Sequence, residues 1–359
     1  MAARCLGMTF VVCALVAVMI AVAPAAQHSS DVHTILGTGV AGNSADQTNN
    51  PYGLVIGPDG ALYFCELGNH RIRRLDLKTH RVSTIAGTGQ KGYSGDGGPG
   101  VDATLNMPHE LRFDTSGNIY IAERDNHVIR KVDGKTGIIS TVAGTGVAGF
   151  GGDGGPGSKA QLRQPHCIEF RDPNHLLICD IGNQRLRELD IRTEIISTYA
   201  GTGQAGPSTD GAPLKGTPLN GPRTLALAPN GDLYLALREG NAIYRIDHVT
   251  QTLHHVAGTG EQGYSGDGQS ARLAKLGGPK GLTYSAGRLI VADTENHVIR
   301  QINLQTGIIT TILGTGTRGD GPEPAALECR LSRPHGVFAG PDGVLYVSNS
   351  EAHRVLVMP

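Results

Sequence analysis

The chain has 359 residues, with 31 Lys and Arg against 32 Asp and Glu, a formal net charge of −1, and 52 glycines. So even a balance, with no long run of like charge, argues against nucleic acid or an anionic membrane surface as partner. Glycine at roughly twice its usual share, with no Trp and only 4% aromatics, points instead to heavy use of tight turns.

In chain order, Arg4 is the only charge before an apolar stretch from Leu6 to Ala23, and Ala-Pro-Ala-Ala follows at 23–26. Charge, apolar run and small residues in that order predict a signal peptide over residues 1–26 and an exported protein, periplasmic or secreted, with no stable membrane span once it is cleaved. An uncleaved signal anchor is the alternative, because about 20 apolar residues can span a bilayer. The segment carries Cys5 and Cys13, leaving Cys65, Cys167, Cys179 and Cys329, an even number for an oxidising compartment. No C-x-x-C occurs, so nothing supports a thiolate zinc site.

From residue 27 to 359 the chain reads as one repeat array. The frame Gly-Thr-Gly-x-x-Gly starts at Gly37, Gly87, Gly144, Gly201, Gly258 and Gly314. Each copy fits the dinucleotide-binding fingerprint, but that fingerprint needs a helix directly behind it. Here GYSGDGGPG or GFGGDGGPG follows, which a helix does not tolerate. The period is the signal.

Within residues 107–146, short β-branched runs predict strands at His109–Phe113, Asn118–Ala122, Val128–Val132 and Ile138–Ala143. Turns at Asp114–Gly117, Asp125-Asn126 and Gly134–Gly137 separate them, so the four form an antiparallel meander. The same frame recurs from Pro51, Pro165, Pro222, Pro279 and Pro334. The last copy ends after three strands, and Val32–Leu36 supplies a fourth at the other end of the chain. Joining them closes a ring and removes both exposed edges. The expected fold is all-β: a six-bladed β-propeller of four-stranded antiparallel blades.

The recurring Pro-x-Gly, Asp-Gly-x-Leu-Tyr and Asn-His-x-Ile-Arg elements resemble the NHL repeat over residues 31–358. That resemblance implies the same six-bladed propeller. It does not fix one function, since the family includes protein- and RNA-binding modules, sensor domains and a metal-dependent lyase.

The first strand of each blade lines a propeller's channel, so the residue after each opening Pro stands at its mouth. These residues are Tyr52, His109, His166, Arg223, Lys280 and His335. Converging imidazoles suit Zn²⁺ or another divalent ion. Met107-Pro108-His109-Glu110 is similar to a motif of the peptidylglycine amidating lyase, which sets each of its zinc histidines in a Pro-His step. The resemblance implies one zinc or other divalent metal on His109, His166 and His335, and Glu110 would support it as an acceptor. In the lyase the histidines are two blades apart; here they fall in blades two, three and six. The catalytic Tyr of that family has no counterpart in these loops. The reading favoured by the residues is a monomeric module binding a small molecule or protein, anionic or carbonyl-bearing, at the loop-rich face and channel mouth. A metal-dependent lyase or hydrolase is the alternative.

Three further expectations concern the scaffold. Asp96, Asp153, Asp210, Asp267 and Asp320 are expected to bond backbone N–H groups in their own turns. His70, His127, His297 and His353 share one turn position and are expected to be structural, as are Arg73, Arg130 and Arg300. Cys167 and Cys179 lie symmetrically about residue 173, so they face each other across a hairpin within reach of a disulfide.

Overall fold

The computed structural model describes residues 31–359; the signal peptide predicted over residues 1–26 lies outside them. Six sheets follow one another round a ring, each an antiparallel meander. Blade 1 comprises Pro51–Ile56, Leu62–Glu66, Arg71–Leu75 and Val82–Ala86. Blade 2 comprises Pro108–Phe113, Ile119–Glu123, Val128–Val132 and Ile139–Ala143, within one residue of the predicted strands. Blades 3, 4 and 5 open at Pro165, Pro222 and Pro279. Blade 5 alone adds a short edge strand, Gln269–Ser270. Blade 6 joins Pro334–Ala339, Leu345–Asn349 and Arg354–Met358 to the N-terminal strand His33–Leu36. Thr34 pairs with Leu356 there, closing the ring as expected. No α-helix occurs among the described residues, and none of their helical segments is long and apolar enough to cross a membrane.

Each blade buries its faces against its neighbours. Leu62, Phe64 and Leu75 of blade 1 pack with Tyr346 and Val355 of blade 6, while Cys65 and Ile72 pack with Leu111 and Ile121 of blade 2. Full burial of such a side chain contributes about 1.5–3 kcal/mol.

The Gly-Thr-Gly frame is a turn. In all six copies the first glycine has φ between +90° and +105°, and a Cβ there would collide with a turn carbonyl: His70 O for Gly87, His127 O for Gly144. Only glycine meets both demands. The Thr hydroxyl oxygen accepts from the N–H two residues on, at 3.2–3.4 Å in every copy.

The structural histidines are latches between blades. Nδ1 of His70 accepts from Met107 N–H, His127 from Gln164, His297 from Arg333 and His353 from Asn50, at 3.1–3.2 Å. Gln184 and Asn241 do the same for Gly221 and Gly278. The loop aspartates differ from expectation. Asp96, Asp153, Asp267 and Asp320 pair with Arg130, Arg187, Arg300 and Arg354 at 2.6–2.9 Å, and Asp210 with Arg272 at 2.6 Å. Four of these arginines lie on a third strand, and Asp210 reaches a strand by accepting from His255 N–H at 2.9 Å, so each aspartate pins a long loop to a blade.

Cys167 and Cys179 flank the predicted centre as expected, with Ile168 opposite Ile178 and Glu169 opposite Leu177. The sulfurs are not bonded: both are buried free thiols. Cys167 instead receives Thr224 Oγ1 at 3.7 Å, and burial pushes the Cys179 thiol well above its ordinary range.

Candidate functional site

Every first strand starts with the same device. The residue before Pro is left-handed, with φ of 46–71° in all six blades, and Pro needs no ladder partner for its missing N–H. The register then slips: Pro108 faces Glu123 but Glu110 faces Ala122, and Pro222 and Thr224, Pro279 and Gly281, Pro334 and Gly336 show the same step. In these four blades the extra residue of the bulge is the one after Pro, and blades 1 and 3 slip within the first three residues after theirs. Bulges re-aim side chains, and here they gather the six predicted residues.

The contacts run round the axis. Tyr52 stacks on His335 with centroids 4.1 Å apart and meets His109 edge-on at 4.5 Å; His109 and His166 are 4.4 Å apart. Arg223 Nη2 lies 3.4 Å from His109 Nδ1. Lys280 Nζ donates to Glu295 Oε1 at 2.6 Å, and Arg333 bridges Glu295 and Glu351 at 2.6 Å each. A pocket of about 440 Å³ opens beside this network, with Arg238 on its far wall.

Hydrogen bonding sets the protonation. His166 and His335 each donate Nδ1–H to a backbone carbonyl, of Gln164 and Arg333, at 2.7 and 2.8 Å. His335 Nε2 then accepts from Tyr52 Oη at 3.0 Å. His109 Nδ1 faces a guanidinium, so its proton sits on Nε2. Burial first, and the neighbouring cations second, hold all three imidazoles well below the usual histidine range. They are neutral at pH 7. Burial lowers Lys280 to about 8, against the pull of Glu295. Glu295 is itself held to about 2 by Arg333 and Lys280 despite its burial.

Arg223 is the exception. It is 3% exposed, and no carboxylate among the described residues pairs with it. Its Nε has no hydrogen-bond partner. Burial, and then Arg238, lower its pKa from the arginine value. Glu110, expected to support a metal site, is instead engaged by Arg112 Nη1 at 2.7 Å. Among the described residues no three His, Cys, Asp or Glu side chains are disposed to hold a metal ion, and Tyr52 stands between His109 and His335. Sequence reasoning missed the outer tier of Arg333, Glu295 and Glu351. Its trace in the sequence is the acidic residue that recurs two positions past the second strand, at Asp125, Glu239, Glu295 and Glu351.

A closed ring of six four-stranded blades round a polar channel mouth defines a six-bladed β-propeller. The NHL repeat model matches residues 331–358, where the last blade carries its Pro-His-Gly and Glu-Ala-His-Arg elements. The chain is 31% identical over 298 residues to protein SUPPRESSOR OF QUENCHING 1, chloroplastic, of Arabidopsis thaliana, covering 79% of this chain and 28% of that protein. It is 27% identical over 320 residues to human NHL repeat-containing protein 2, covering 79% of this chain and 44% of that one. It thus spans less than half the length of either relative. Among solved structures, an auxiliary nutrient binding protein from Bacteroides ovatus ATCC 8483 has the same fold, with a TM-score of 0.68 at 15% identity over 93% of this chain and 77% of that one. The chain belongs to the NHL-repeat β-propellers.

Proposed function

We propose that the protein is an exported binding module whose channel mouth takes an anionic group, a carboxylate or phosphate borne by a small molecule or a protein. The observation that carries this reading is Arg223: a buried guanidinium with no anionic partner among the described residues. Burying an unpaired charge is costly, and an arginine stays charged in proteins. A bound oxyanion would repay that cost, and the planar guanidinium suits it bidentately. His109 Nε2–H is a further donor at the same mouth. The neutral imidazoles add no positive charge of their own beside Arg223, while Arg238 is already paired with Glu239. Calorimetric titration with inorganic phosphate and with succinate tests the proposal. Wild-type protein is expected to bind at least one of them, and Arg223→Met to lose that binding while staying folded; equal binding by both proteins would overturn it.

A divalent metal on His109, His166 and His335 is the alternative, and it requires Tyr52 to leave its position between two of them. Stoichiometric metal in protein isolated from its own compartment, lost in His109→Ala, would favour it over the anion site.

A further inference from the structure

Blades 2, 3 and 5 share a side-chain stack on their outer shoulder, and blade 4 lacks all of it. In blade 2, Arg130 reaches Glu123 at 3.3 Å and lies over the Tyr93 ring at 5.3 Å, while Asn126 Nδ2 donates to Gly92 O at 2.8 Å. Blade 3 repeats this with Arg187, Asp180, Phe150 and Asn183, and blade 5 with Arg300, Asp293, Tyr264 and Asn296. At the four corresponding positions blade 4 has Tyr244, Leu237, Pro207 and Gly240. The ion pair, the amide and the loop aromatic are replaced together.

The replacement leaves a half-apolar cavity of about 250 Å³, lined by Pro207, Leu237, Ala242, Tyr244, His255 and main chain of the Gly-Thr-Gly loop. The cavity is held open. Tyr244 Oη donates at 2.6 Å to Ser208 O, taking the place of the arginine that bonds Ser94 O in blade 2 and Ser265 O in blade 5. His255 Nε2 is tied to Gly258 O at 2.7 Å. An apolar cavity of about 150 Å³ suffices for a benzene ring.

We infer that this cavity in blade 4 is a second binding site, for a ligand carrying an aromatic ring with a hydrogen-bonding substituent. The sister blades show what fits the space. Tyr93 and Tyr264 put a phenol ring there, each with its hydroxyl on the fourth strand, at Thr141 Oγ1 (2.9 Å) and Thr311 Oγ1 (2.8 Å). His255 occupies that threonine's position in blade 4, with an imidazole in place of the hydroxyl. The ring face is supplied by Tyr244, whose centroid lies 5.4 Å from that of His255. The site rests on different residues from the channel mouth and does not depend on the anion proposal.

The test uses the full chain, isotope-labelled at methyl groups and titrated with p-cresol by NMR. Saturable shifts are expected at the Leu237 and Ala242 methyls, with affinity in the millimolar range or tighter. A variant rebuilding the sister stack (Pro207→Tyr, Leu237→Asp, Gly240→Asn, Tyr244→Arg), read at Ala242, is expected to bind about tenfold more weakly or not at all. Should it fail to fold, Ala242→Arg, read at Leu237, fills the same space. Its counterpart Arg185 reaches the ring position in blade 3, lying 3.8 Å over Phe150. Acetyl-tyrosine amide separates the sources of the ring: shifts at the same methyls point to a peptide-borne tyrosine, and shifts with p-cresol alone to a free phenol. No saturable shift with p-cresol, or equal affinity in a folded filled variant, would overturn the inference.

Discussion

Arg130 and Arg223 are both buried guanidiniums, yet they lie in opposite surroundings. Arg130, with no exposed surface, sits between Glu123 at 3.3 Å and Asp96 at 2.7 Å, against the Tyr93 ring. Arg223, on the axis, lies 3.4 Å from a neutral imidazole and has no direct ion-pair partner among the described residues; Arg238 opposes its charge, and the through-space pull of Tyr52, Cys167 and Glu110 favours it. The first charge is consumed by the fold, which uses it to pin a loop to a blade. The second is left for something outside the chain. Their removal should therefore change stability in opposite directions, which makes the comparison testable.

The largest effect is expected on the shoulder. Arg130→Leu strands Glu123, which burial already pushes up to about 7 against the pull of Arg130, and should cost about 3–5 kcal/mol in denaturant unfolding. A loss within experimental error would show that the shoulder pair carries no structural load. On the axis, Arg223→Met removes a buried charge that has no direct ion-pair partner, at similar length, and should raise stability by about 1–3 kcal/mol. A lower melting temperature would mean that the charge is satisfied within the fold. Tyr244→Phe in blade 4 removes a single hydrogen bond to Ser208 O and should cost only about 1 kcal/mol; a loss as large as that of Arg130→Leu would make blade 4 equivalent to its sisters.

The smallest expected effect is one of pH. Burial lowers the pKa of His70, His127, His297 and His353, and each latch needs an unprotonated Nδ1. A lowered histidine pKa means the folded state binds fewer protons than the unfolded one. The latch contribution is therefore complete above the unfolded value near 6.5 and is lost as pH falls below it. Replacing all four by Gln, the residue blade 3 uses at 184, should flatten the fall in melting temperature between about pH 7 and 5. Parallel curves for the two proteins would remove the latches from the acid response.

Much of the scaffold was legible in the sequence because it is local. β-branched runs between short turns marked the strands of blade 2 to within a residue, and the register that sets Ile168 opposite Ile178, next to the two cysteines, follows from one hairpin. The ring also showed, because a missing strand at one end matched a spare one at the other. The loop aspartates were misread because their partners are distant: Asp153 meets Arg187, 34 residues on, whereas turn chemistry suggested near neighbours. At the mouth, the position after Pro named the right six residues. That Tyr52 would separate two histidines, and that Arg223 would lack a carboxylate, depended on contacts between blades that no single repeat contains. Blade 4 left a trace as four simultaneous departures from the repeat, though the cavity they open needed the packed structure.

The central claim is that the Arg223 charge is kept for an external anion. Crystals of the full propeller grown with selenate test it most directly, through the anomalous signal of selenium. An anomalous peak within about 4 Å of the Arg223 guanidinium, absent from Arg223→Met crystals grown alike, is the result expected. No peak at the channel mouth, or one that persists without Arg223, would contradict the account.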